Sequence, residues 1–236
     1  MKSWKISALG ALALGATGAS PALAQTGGVP AYHHIVVVIE ENTGYDQIVG
    51  SGAAPYINDT LIKGGAPMTD SHGVTHPSEP NYLALFSGST QGVTGDPSLP
   101  NNGSPFSTPN LAAPLIRTGK SFGMHSEGLP VTGSTIDFTA GNLYASKHNP
   151  YVDWQPKDPA NPQPNAVPAS SNMPFTNFQL LTQQQLAGTG PAFNALPSVS
   201  FVAPDQNNDM HGTATSATGN ALITAGDNWL QNNIDT

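Results

Sequence analysis

Apolar positions fall in short blocks separated by long polar loops, and the blocks alternate in character along the chain. His34-Ile35-Val36-Val37-Val38-Ile39 is an unbroken β-branched run, the pattern of a strand buried on both faces in a parallel sheet. Ser121 to His125 and Ser198 to Val202 read as two further core strands. Helical signals lie between and after them. Pro55 to Lys63 has a proline in its first turn and Gly64-Gly65 as its stop; Tyr82 to Phe86 is ended by Gly88; Leu111 to Arg117 follows Thr108-Pro109 as N-cap and first-turn proline; Ala221 to Asn232 closes the chain. Pro150 to Pro174 is rich in Pro and Asn without periodicity and reads as a surface insertion, a candidate lid. Strands alternating with helices predict an α/β fold, an open and mostly parallel sheet flanked by helices.

In open sheets of this kind ligands sit beyond the carboxyl ends of the strands. Three polar loops leave the three predicted strands: Glu40-Glu41-Asn42, His125-Ser126-Glu127, and Asp205 to His211. Their convergence is the main reason to expect an active site.

Composition narrows the chemistry. The chain has 236 residues, a size that suits one domain, and charged residues make only 9% of it. It has no cysteine, which removes disulfides, thiolate zinc sites and cysteine nucleophiles together and leaves oxygen and nitrogen ligands for any metal. A formal charge of −8 with no basic run argues against a nucleic-acid partner and against anionic membrane surfaces. Lys2 and Lys5 precede an apolar run from Ile6 to Ala19, and Ala22-Leu23-Ala24 supplies the small residues of a cleavage site. Residues 1–24 are therefore expected to be a signal peptide, and 25–236 the functional domain in a periplasmic or secreted protein with no stable membrane insertion after cleavage.

Several polar residues could do chemistry. Glu40-Glu41-Asn42 places two carboxylates and an amide just past a buried strand, where a divalent cation would satisfy them; a solvated loop with helix-capping acids explains the same residues. Ser78 falls at the expected N-cap of the helix that follows, with Asn81 on the same face. Such a serine is usually a cap, yet a helix N-terminus also collects anions and would place this hydroxyl to attack phosphorus. Asp209-Met210-His211 offers a carboxylate and an imidazole that could share one cation, although Asx-turn chemistry accounts equally for acids in a loop. His72, His76, His125, His148 and His211 all fall in polar loops.

Taken in order, these blocks resemble the phosphoesterase family of bacterial acid phosphatases and phospholipase C-type enzymes, a branch of the alkaline phosphatase superfamily. The resemblance rests on His34 to Asn42 with Tyr45-Asp46 and Gly50, on Thr75-His-Pro-Ser-Glu-Pro-Asn-Tyr-Leu-Ala-Leu-Phe-Ser-Gly88, and on Lys147-His-Asn-Pro150. Pro197 to Val202, Asn208-Asp-Met-His211 and Gly226-Asp-Asn-Trp-Leu230 complete the set. It implies a metal-dependent hydrolase of small phosphate esters working through a phosphoserine, with Ser78 as nucleophile, Asn81 stabilising the phosphate and His211 as a further catalytic group. It also implies a divalent cation of open identity held by Glu41, Asn42 and Asp209, with His76, His125, His148 and Asn149 lining the substrate. A phosphodiesterase or phospholipase C acting on lipid head groups is the alternative activity, and an inactive fragment or non-catalytic binding domain the alternative class. The family pattern continues past the Gly-Asp-x-Trp-Leu helix into another core strand ending in an acidic pair, so this sequence is expected to be a C-terminally truncated member.

Overall fold

A computed structural model describes residues 32–186 and 195–234. The expected signal peptide at 1–24 lies outside the described residues. In chain order the elements are β1 (Ile35–Val38), α1 (Tyr45–Ile48), a π-helical turn (Ile57–Leu61) running into α2 (Ile62–Gly64), α3 (Ser78–Ser87), α4 (Ala112–Arg117) and β2 (Phe122–Ser126). Then come β3 (Asn172–Pro174), α5 (Phe175–Leu186), β4 (Val199–Ala203) and α6 (Asn220–Asn233). The strands form one sheet in the order β1-β4-β2-β3, all parallel, with Val36 beside Ser200, Met124 beside Phe201 and His125 beside Met173. This is the α/β architecture expected from the alternation of blocks.

Strand alternation divides the core into two layers. Phe122, Met124, Phe201 and Ala203 point to one face, where Leu83 and Phe86 of α3 meet Tyr151, Trp154 and Val167. Val202 points to the other, packing with Phe175 and Phe178 of α5, Trp229 and Leu230 of α6, and Tyr56. Phe86 sits at the centre of an aromatic cluster, with Phe122, Trp154 and Phe201 each edge-on to it.

Three expectations are corrected. β1 is not covered on both faces: Ile35 and Val36 are 47% and 38% exposed, and β4 is its sheet neighbour on one edge. The stretch from Pro150 is not a lid. Pro150 to Trp154 form a 3-10 turn buried at every residue, and Asn172–Pro174 supply the fourth strand. Aperiodic apolar residues there serve a compact turn, which has no repeat for a periodicity argument to detect. Finally, Asn110 rather than Thr108 serves the start of α4, its Oδ1 accepting the Ala113 N–H at 2.8 Å.

α6 is fixed by more than apolar contact. The wholly buried Asp227 carboxylate accepts the Tyr56 N–H at 3.0 Å and the Ile57 N–H at 2.8 Å, satisfying donors at the start of the π-helical turn. One residue earlier, a Cβ on Gly226 would stand 2.6 Å from Met210 Cγ, so only glycine lets α6 lie against the loop that carries Asp209 and His211. Asp227→Ala leaves both backbone donors without their acceptor. It is expected to lower the unfolding free energy by about 3 kcal/mol, measured by urea denaturation, with Asp227→Asn costing less.

Candidate active site

Because all four strands run parallel, their carboxyl ends open on one side of the sheet, and the loops there are tied to one another. The Glu41 N–H donates to the Asp209 carbonyl at 2.6 Å, and Glu127 N–H donates to the Ala203 carbonyl at 2.9 Å. Glu127 Oε2 accepts from Asp205 N and Asn208 Nδ2, both at 2.9 Å. Two residues in these loops adopt left-handed backbone, Asn42 at φ 53° and Met210 at φ 71°. For a methionine that conformation costs on the order of 1–3 kcal/mol. The Met210 side chain is buried with Ala54 and Ile223, which holds the strained residue in place between Asp209 and His211.

Above these loops lies a cleft of about 930 Å³, lined among others by Glu40, Glu41, Asn42, Ser78, Asn81 and His211. Glu41 and His211 of its lining, together with the buried His148, have ligand atoms within 4.8 Å of one another, a spacing able to hold one metal ion. His148 Nε2 is 3.7 Å from Glu41 Oε1, and its Nδ1 is 3.1 Å from Asp209 Oδ2. Asp209 thus stands on the far nitrogen of the ring and directs Nε2, which has no hydrogen-bond partner among the described residues, toward Glu41. Tyr82 stacks on His148 with ring centroids 5.0 Å apart and planes at 17°. His211 Nδ1 lies 2.7 Å from the Gly212 carbonyl, to which it donates when it carries the proton, and Nε2 lies 3.3 Å from Lys147 Nζ.

Burial governs the charge states. It lowers His148 to about 3, favouring the neutral imidazole that a metal requires. It raises Asp209 to about 7 and Glu40 to about 9, the latter pushed further by Asp209, Glu127 and Asp227. Both Glu40 carboxylate oxygens are buried without a hydrogen-bond partner among the described residues. Carboxylates gathered with neutral imidazoles form a donor set suited to a divalent cation.

Ser78 is the first helical residue of α3, one position later than expected, with Pro77 at the N-cap in extended conformation. The displacement has a local cause. Asn81 Nδ2 donates to the carbonyls of Thr75 and Pro77 at 2.7 and 2.8 Å, while its Oδ1 accepts the Thr75 N–H at 3.1 Å, so the amide folds the preceding turn back over the helix start. In this arrangement both Asn81 amide hydrogens are engaged by the protein. His76 is exposed at the rim of the same cleft.

The structure does not bring every candidate together. His125 is fully buried within β2, edge-on to Phe178 beneath α5, with both ring nitrogens lacking hydrogen-bond partners among the described residues. Burial lowers it to about 4. Asn149 is fully buried too, donating to Asn172 Oδ1 at 2.9 Å and Tyr144 Oη at 3.2 Å, which ties the 146–150 segment to β3.

The sequence pattern of the Phosphoesterase family matches residues 53–235. The chain belongs to this family. It is 37% identical over 206 residues to the phosphatidylinositol-3-phosphatase of Mycobacterium tuberculosis, an alignment covering 87% of this chain and 58% of that protein. It is 28% identical to the probable acid phosphatase of Kluyveromyces lactis and 29% identical to the acid phosphatase of Aspergillus fumigatus, covering 80% and 78% of this chain. The chain spans 41% and 37% of those two proteins.

Within this phosphoesterase, sequence reasoning missed two residues beside the cleft. Lys147 Nζ lies 3.1 Å from Asp96 Oδ2, with the lysine side chain only 14% exposed, and Asp96 Oδ1 accepts the Glu79 N–H at 2.9 Å. Lys147 stood next to a singled-out histidine, but Asp96 lies in a loop without any pattern that marks it. The Asn81 bonds lead to an expected outcome: Asn81→Ala should lower stability by about 1–3 kcal/mol in urea denaturation. Asn81→Asp, which sets an acceptor-only oxygen against the Thr75 and Pro77 carbonyls, should cost at least as much.

Proposed function

We propose that this phosphoesterase chain carries the active site of a metal-dependent phosphoric ester hydrolase of the acid phosphatase type, acting on small phosphate esters through a phosphoserine at Ser78. The observation that supports this most is that Ser78 opens the first turn of α3 onto the cleft that Glu41 and His211 line, with the buried His148 completing their group. The relatives named phosphatases support ester hydrolysis, and the segment at residues 1–24 supports secretion. Among the described residues no helix is long and apolar enough to cross a membrane.

The positive end of α3 and the Lys147 ammonium favour an incoming phosphate dianion. Ser78 Oγ forms a bond to phosphorus as the bond to the leaving oxygen breaks, and its proton passes to solvent. His76, exposed two residues earlier, supplies a proton to the departing oxygen and regains one from solvent. Water then attacks phosphorus, the Ser78 Oγ–P bond breaks, and a water proton restores the hydroxyl, releasing inorganic phosphate. Glu41, His148 and His211 would hold the cation, with Asn42 beside them in the same cleft and Asp209 orienting His148. When bound, that cation supplies Lewis acidity toward the phosphoryl oxygens and eases ionisation of the serine hydroxyl.

Ser78→Ala is expected to reduce turnover of para-nitrophenyl phosphate at least about 10³-fold while leaving the thermal midpoint unchanged. Wild-type-like turnover would remove Ser78 from the nucleophile role. Calorimetric titration of Zn²⁺ or Mn²⁺ should show affinity reduced by about 10-fold or more in His148→Ala.

A further inference from the structure

The residue that follows Ser78 in α3, Glu79, belongs to a second group of buried acids. Glu79 and Asp153 are 3% and 2% exposed. One nitrogen joins them: Asn102 Nδ2 donates to Glu79 Oε1 and to Asp153 Oδ1, each at 2.6 Å. The orientation of that amide is fixed, because its Oδ1 accepts the Ser104 N–H at 2.9 Å. Both amide hydrogens are then used, one on each acid, and Glu79 Oε2 is left buried with no hydrogen-bond partner among the described residues.

Two carboxylates on one amide nitrogen in a buried space cannot both carry charge cheaply; they titrate as a pair. The surroundings add little relief. Ser104 also bonds Asp153, Lys147 attracts Glu79, and Asp96 and Asp137 repel it. Tyr144, raised well above the usual phenol range by burial and by Asp153 and Asp137, stays neutral nearby. Glu79 is the residue after Ser78, and its N–H is held by Asp96, itself paired with Lys147. A change of charge on the pair is therefore felt at the helix start where a phosphate dianion must bind.

We propose that Glu79 and Asp153, bridged by Asn102, are positioning residues for Ser78 that together carry at most one negative charge, and that gaining the second charge sets the upper pH limit of the reaction. The proposal rests on the reading of Ser78 as nucleophile. Its sign follows from burial and mutual repulsion, which raise Glu79 to about 7 and Asp153 to about 8. Acids raised in the folded state stabilise it fully below their unfolded pKa, and that contribution is lost as pH rises through the folded values. Stability should therefore decline from about pH 4, where the unfolded acids ionise, to about pH 8, and activity, which follows the folded values, between about pH 6 and 9.

The test measures kcat and KM for para-nitrophenyl phosphate from pH 5 to 9 in wild type, Asp153→Asn and Glu79→Gln, and thermal midpoints over the same range in a Ser78→Ala background. Each substitution leaves one ionisable acid in the pair. The alkaline fall in kcat is expected to move up by about one pH unit or more, with KM little changed, and the fall in thermal midpoint between pH 6 and 9 should shrink. A uniform loss of kcat at every pH, with the alkaline limb unmoved, would overturn the proposal and leave the cluster a packing element. The thermal measurement needs no turnover, so an unchanged slope in both variants overturns the shared charge even if Ser78 proves not to be the nucleophile. Absence of turnover in wild type alongside a flattened slope in the variants would fault the nucleophile reading and sustain the shared charge.

Discussion

Burial of acidic groups at the carboxyl end of a parallel sheet is the constraint around which this molecule is arranged. Glu40 and Glu41 follow β1, and Asp209 lies in the loop after β4, the strand paired with it, so the two loops leave the sheet side by side. The backbone contact from Glu41 to Asp209 and the strained Met210 draw the acids inward. An isolated carboxylate taken from water costs several kcal/mol even after relaxation. The imidazole packed among them does not offset that cost: His148 is wedged between Glu41 and Asp209 under Tyr82, and burial keeps it uncharged. Such a site is held in geometry while its charge is left uncompensated, which is the condition under which a divalent cation binds with little reorganisation.

The physical basis of the strand-end argument explains how much of this was legible in the sequence. Ile35–Val38 and Val199–Ala203 could be read because β-branched and aromatic runs have few other uses, and parallel pairing with Phe122–Ser126 then brings the three loops together. Gly226-Asp227-Asn228-Trp229-Leu230 was recognisable as a block, and the structure gives each part a reason: Gly226 for the close approach of Met210, Asp227 for the Tyr56 and Ile57 donors, Trp229 and Leu230 for the second core layer. Pro150 to Trp154 was illegible because its burial comes from partners distant in sequence, such as the Thr108 carbonyl that accepts the Trp154 indole N–H at 2.8 Å. His125 was misleading for a related reason. A histidine at a strand end can face either side of the sheet, and a shift of one residue along the strand decides between the cleft and the α5 layer.

Ser78 lines the cleft with Glu41 and directly precedes Glu79, so it stands next to two acidic groups held by different means. In the first, His148 lies between Glu41 and Asp209; in the second, a single amide divides its two hydrogens between Glu79 and Asp153. The two groups meet through Lys147, whose ammonium lies 3.3 Å from His211 Nε2 and 3.1 Å from Asp96, the acid that holds the Glu79 N–H. In a chain with only 7 lysines and arginines, placing one of them almost out of solvent at this junction is an uneven use of positive charge. A lysine there stabilises acids on both flanks through one short path, whereas a cation held by Glu41, His148 and His211 acts strongly only on the groups it touches, because Coulomb energy falls with distance and with each layer of polarisable protein. The charge state of Glu79 and Asp153 and the electrostatics of the cleft are for that reason coupled, and Lys147 is the residue through which the coupling passes.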